Sequence, residues 1–154
     1  MGGTIGTHFA AQTDRVKRAS IAGTYFELNL SQGHWHDDNV EIARIAKATR
    51  EGTLDALNLD EGRRRFAESM DLDRIWARRY AMESWPAVQP VDLRCPILIY
   101  SGTNDGQIVE MLRQQRAVIE EAGQTLHIFE GFDHLQLVSE RAVIMPIIQS
   151  FLQG

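Results

Sequence analysis

Two side chains in this sequence have the types and the spacing for proton transfer. Asp105 stands in Ser101-Gly-Thr-Asn-Asp105-Gly106, and His134 stands in Glu130-Gly-Phe-Asp-His134-Leu135, 29 positions further on. Each follows a short strand-like run, the fully apolar Pro96-Ile-Leu-Ile-Tyr100 for the first and Thr125-Leu-His-Ile-Phe129 for the second. Functional groups of open parallel sheets gather at the carboxyl ends of strands, so adjacent parallel strands would carry both loops on one rim. There a carboxylate binds an imidazole ring N–H, fixes the tautomer and supports the imidazolium formed during proton transfer. Taken singly, each residue has an ordinary reading: Asp is a common turn former, and a lone His is commonly a surface or core residue. Their succession after consecutive strands gives the pair its weight.

Other groups are weaker candidates. His34-Trp35-His36-Asp37-Asp38 holds two imidazoles and two carboxylates, but an i, i+2 pair in a loop is a poor metal signature. No metal or other cofactor is expected. Cys95, the only cysteine, precedes Pro96 at a strand start and reads as a small packed residue, with no basic neighbour to activate it. Ser101 and Ser139 lack a Gly-x-Ser-x-Gly setting and read as ordinary serines. Trp35, Trp76 and Trp85 suit either a substrate pocket or helix packing. Asp133 adjoins His134, yet sequence neighbours on an extended loop point apart.

The elements that must position the pair fall into three stretches. Residues 1–32 begin with small residues around Ile5 and Phe9, predicting a short helix against a sheet. Ala19-Ser-Ile-Ala-Gly-Thr-Tyr25 follows without alternation, as in a strand buried on both faces. Residues 33–88 read as an all-helical insert. Its first helix has an N-cap at Asp38-Asn-Val-Glu41 and a stripe of Ile42, Ile45, Ala46 and Thr49 that stops at Gly52. Its second covers residues 60–70 and its third 72–84, with Pro86 beyond. Residues 89–154 return to strand, helix, strand, helix, the last helix carrying Pro146 and therefore starting late or kinking. The fold class is α/β, with about three parallel strands, flanking helices and a helical insert. The strand at 19–25 would be an exposed apolar edge, ready to pair with another chain.

Composition restricts the partners. The chain has 154 residues, 44% of them hydrophobic, enough to bury roughly 70% of the surface the unfolded form exposes. A net charge of −5 gives no general attraction to phosphate backbones or anionic membranes, so no nucleic acid and no membrane is expected as a partner. No window approaches the ~20 apolar residues of a membrane span, and the start lacks the basic and apolar regions of a signal peptide. The expectation is a cytoplasmic protein.

Residues 91–154 resemble the C-terminal part of the α/β-hydrolase fold family. In that family a Pro-led strand runs into a Gly-x-x-Asp turn carrying the triad acid, and a Gly-x-x-His loop follows the next strand. The matching residues here are Gly102-Thr-Asn-Asp105 and Gly131-Phe-Asp-His134. The helical stretch is similar to the family's cap, which roofs the active site and shapes substrate choice. Met1-Gly2-Gly3 resembles the tail of a nucleophile elbow, Gly-x-Ser-Met-Gly-Gly, in which the residue after Ser lends its backbone N–H to the oxyanion hole.

The resemblance implies a partial α/β-hydrolase fold with Asp105 as acid, His134 as base and Met1 as backbone oxyanion donor. On that alignment the nucleophile lies immediately before Met1, outside these residues. Met-Gly-Gly resembles serine esterases, peptidases and C–C hydrolases more than enzymes with an Asp nucleophile, which commonly place Trp there. The implied substrate is a small ester, amide or C–C compound. An acid and base without a nucleophile imply a chain inactive by itself. The alternatives are a non-catalytic half that forms a homodimer through the strand edge, or a chain complemented in trans by a nucleophile-bearing partner.

Overall fold

The computed structural model describes residues 2–26, 33–69 and 71–154. Within them the chain divides into two compact units, Met1–Leu28 with Val88–Gly154, and Asn29–Ala87. The first is an α/β unit. Helix α1 (Gly2–Gln12) leads to strand β1 (Ala19–Ala22). After the second unit come β2 (Ile97–Gly102), α5 (Gly106–Glu121), β3 (Thr125–Phe129), α6 (Gln136–Ser139) and α7 (Arg141–Gln153). The helices of the second unit, α2 to α4, are described below.

The three strands form one parallel sheet in the order β1-β2-β3, with Ile21 opposite Ile99 and Ile99 opposite Leu126. β2 is the centre, and every one of its residues is buried. Its side chains alternate between two cores. Ile97 and Ile99 join Ile21, Leu112, Ile119 and Leu126 on one side, and Leu98 and Tyr100 join Phe129, Leu137, Ile144 and Ile148 on the other. An apolar run without polar alternation is what a strand covered on both faces requires. The buried amide of Ile97 starts the strand by donating to Gln124 Oε1 at 2.8 Å.

β1 is shorter than the expected strand over 19–25. Its ladder ends at Gly23, whose φ of 56° lies in the left-handed region, although the Gly23 N–H still donates to the Tyr100 carbonyl at 2.9 Å. Beyond the turn, the Phe26 N–H donates to Gln115 Oε1 at 3.0 Å, and Gln115 Nε2 donates back to the Phe26 carbonyl. Among the described residues the outer edge of β1 has no strand partner. Pro146 lies inside α7, so of the two expectations, a late start or a kink, the late start does not hold.

The second unit contains α2 (Gly33–Glu51), α3 (Glu61–Ser69) and α4 (Leu72–Met82). Ile45 and Ala46 of α2 pack with Ala67 and Leu72, and Asp71 caps α4 by accepting from the Arg74 N–H at 3.1 Å. The expected N-cap at Asp38 is not one, because α2 already runs from Gly33. Asp38 and Asn39 find partners on α4 instead. Asn39 is buried, donating to Glu83 Oε1 and accepting from Arg79 Nε, both at 2.6 Å, while Arg79 also reaches Asp38 at 3.3 Å. Trp35 is buried against Met82, with the Arg79 guanidinium 4.0 Å from its ring centroid. Trp76 stacks on Tyr80 at 5.2 Å. Trp35 and Trp76 thus make ring contacts within the helical unit. Among the described residues no helix is long and apolar enough to cross a membrane.

Cys95 is a buried free thiol, and that burial pushes its pKa up. The thiolate is the nucleophile, so the native thiol should be slow to alkylate. With iodoacetamide at about pH 8, the native chain should keep its intact mass while the urea-unfolded chain gains one adduct. Equally fast modification of both would contradict this burial.

Candidate active site

All three strands are parallel, so β1, β2 and β3 end on the same rim, at Gly23, Gly102 and Phe129. The loops after β2 and β3 are bonded to each other there. The Thr103 N–H extends the ladder to the Phe129 carbonyl, and the Asn104 N–H donates to the Phe132 carbonyl, both at 2.9 Å. The Asn104 side-chain amide donates to the Gly131 carbonyl at 2.9 Å, and the Gly131 N–H donates to Thr103 Oγ1 at 2.7 Å. Four hydrogen bonds, two of them from backbone amides of the first loop, therefore fix one loop against the other.

Those bonds bring the two sequence-derived side chains together. His134 Nδ1 lies 2.9 Å from Asp105 Oδ1. A carboxylate only accepts, so Nδ1 carries a proton, and in the neutral imidazole Nε2 then holds the lone pair. The Asp105 side chain is 3% exposed and that of His134 60%. The carboxylate is thus shielded while the ring stays accessible, the asymmetry an acid and a working base need. Among the described residues His134 Nε2 has no hydrogen-bond partner, and the ring borders a cavity of about 360 Å³ with Gly2, Gly3 and Gly6 of α1 and with Ser20, Ile21, Ala22 and Gly23.

Asp105 occupies the N-cap position of α5 but makes no side-chain cap bond. Its ordinary reading as a turn former is therefore incomplete, because its carboxylate turns to His134 and to Ser101, whose Oγ donates to Oδ2 at 2.7 Å. Asp133 is no competitor. It accepts from the Gln136 N–H at 2.8 Å, and its own N–H donates to Gln136 Oε1 at 2.9 Å.

Two glycines make room for the pair. A methyl group on Gly23 would sit 2.5 Å from His134 Cε1 and 2.9 Å from Nδ1. One on Gly102 would land on the Phe132 carbonyl. Sequence reading missed Ser101 and Gly23, since neither lies in a motif. The signal available for Ser101 was a hydroxyl inside an otherwise apolar strand, and for Gly23 a glycine at a strand's carboxyl end.

Met1, the expected oxyanion donor, lies outside the described residues. Residues 34–38 lie on helix α2 and not in the expected loop. Among the described residues no group of three His, Cys, Asp or Glu is placed to hold a metal ion.

Known proteins sharpen the picture. A crystal structure described with the hydrolytic potential and activity profiles of carboxylesterases of the ammonia-oxidizing thaumarchaeon Nitrososphaera gargenis matches 99% of this chain, with a TM-score of 0.66 and 19% sequence identity. The fold is a partial α/β-hydrolase fold, a three-stranded parallel sheet with flanking helices. This chain spans 61% of the length of that structure. No protein-family model matches the sequence, and no curated protein matches it.

Gly23→Ala should disturb this site beyond the cost of a left-handed alanine. Gly123 has a similar φ of 75° with open space around it, so Gly123→Ala measures the backbone cost alone, about 1–2 kcal/mol. By urea unfolding Gly23→Ala should cost more than Gly123→Ala, and it alone should shift the His134 ring resonances. Equal costs with an unmoved His134 signal would show that the close approach is not maintained in solution.

Proposed function

We propose that this chain supplies the acid and the base of a serine hydrolase acting on a small ester, amide or C–C substrate. The observation that carries the reading is the bond from His134 Nδ1 to buried Asp105 Oδ1, with Nε2 unpartnered among the described residues and bordering the cavity beside α1. In this reading Nε2 takes the proton of a serine hydroxyl as the oxygen attacks the substrate carbonyl, then returns it to the leaving group. Asp105 holds the ring and its transient charge. The backbone N–H of Met1, the residue before α1, is an oxyanion donor, and the helical unit is the cap that selects substrates. No resident cofactor is required.

The serine comes from outside these 154 residues, either from polypeptide ahead of Met1 or from a partner chain. Gly2 and Gly3 share the cavity with His134, which fits an elbow entering α1 at that point. The similarity to a carboxylesterase structure favours ester chemistry. A second reading draws on the free edge of β1. Ala19–Ala22 has no charge or proline to block edge pairing, so a non-catalytic homodimer would join there.

The test places a strand and Gly-x-Ser ahead of Met1 and measures hydrolysis of p-nitrophenyl acetate. Hydrolysis should appear, and His134→Ala or removal of the serine should lower kcat by about four orders of magnitude or more. A folded but inert extended chain would overturn the proposal. Light scattering on the original chain decides the second reading, which a monomer at micromolar concentration would exclude.

A further inference from the structure

We infer that Ser101 is a positioning residue that aims the Asp105 carboxylate at His134. The inference rests on the reading of Asp105 and His134 as acid and base, and it goes further by naming what holds the acid. Ser101 is completely buried in β2, the central strand, where its neighbours Ile97, Leu98, Ile99 and Tyr100 are apolar. A hydroxyl in such a strand is costly unless it is bonded, and an alanine would fill the position without that cost. The one proton of Ser101 is donated to Asp105 Oδ2 at 2.7 Å.

Both carboxylate oxygens are thereby assigned. Oδ1 accepts from His134 Nδ1 and Oδ2 from Ser101 Oγ, and the α5 amides that usually receive an N-cap Asp take no part. The terminal torsion of Asp is broad and roughly two-fold, so one donor leaves the carboxylate plane free to swing. A second donor on the other oxygen fixes it. That donor belongs to the fully buried central strand, where Ser101 pairs with Ile128 of β3 and lies one residue beyond the Tyr100 carbonyl that accepts from Gly23. His134 is 60% exposed and sits on a loop, so its orientation depends on the acid far more than on its own packing. Ser101 does not face the cavity, and its role runs through Asp105 alone.

Threonine and valine have nearly the same shape, and only threonine keeps the hydroxyl. Ring ¹⁵N NMR of His134 in Ser101→Thr and Ser101→Val therefore separates the hydrogen bond from packing, even if Ser101→Ala fails to fold. Ser101→Thr should keep the wild-type excess of the Nδ1–H tautomer, and Ser101→Val should lose about tenfold of it, the equivalent of one charge-assisted hydrogen bond. Equal spectra for the two variants, with the wild type still differing from Asp105→Asn, would overturn the role of Ser101 alone. Identical His134 spectra for the wild type and Asp105→Asn would show instead that the acid–base pair does not form. That outcome overturns the site reading and this inference with it.

Discussion

A carboxylate removed from water must be met by donors, and the described site depends on how that requirement is satisfied for Asp105. Its side chain is 3% exposed, and it sits where a helix start would ordinarily receive it. An ionised carboxylate in such a place is strongly unfavourable without hydrogen bonds to both oxygens. The chain meets the demand from two directions, with a buried strand hydroxyl on one oxygen and an exposed imidazole on the other. The buried donor keeps the acid in place, and the accessible one keeps an Nε2 that is unpartnered among the described residues, on a ring that borders the cavity.

This arrangement sets conditions for the backbone around it. The loops after β2 and β3 must stay in register to within hydrogen-bond tolerance, which the Thr103, Asn104 and Gly131 bonds achieve. The strand ends must also approach the ring and the His134 loop more closely than a Cβ permits, hence Gly23 and Gly102. The central strand supports both. Ile97, Leu98 and Ile99 are almost completely buried, with cores on either side, so β2 offers a fixed reference from which Ser101 and Asp105 are hung.

Much of this was legible in the sequence, for identifiable reasons. The run 97–100 announces a buried parallel strand because both faces are covered and no polar residue interrupts it, and 125–129 follows as a third strand closed by Gly131. Asp105 and His134 stand out because glycine-punctuated loops follow those runs. What was not legible depends on contacts between segments distant in sequence. Asn39 was read as part of an N-cap, yet its partners Arg79 and Glu83 lie about forty positions away on and beyond α4. Ser101 carries no motif, and its role follows only from the distance to Asp105. The span of β1 was overestimated because the left-handed turn at Gly23 interrupts an apolar run without any polar residue to mark it.

The proposal is that Asp105 and His134 serve as acid and base while the attacking group is not among these residues. Incubating the purified chain with a fluorophosphonate probe and reading its intact mass tests this most directly. The account predicts an unchanged mass for a folded chain, and labelling only once a Gly-x-Ser segment is supplied. A covalent adduct on the chain alone, lost in Asp105→Asn and His134→Ala, would reveal a nucleophile within these 154 residues and contradict the account.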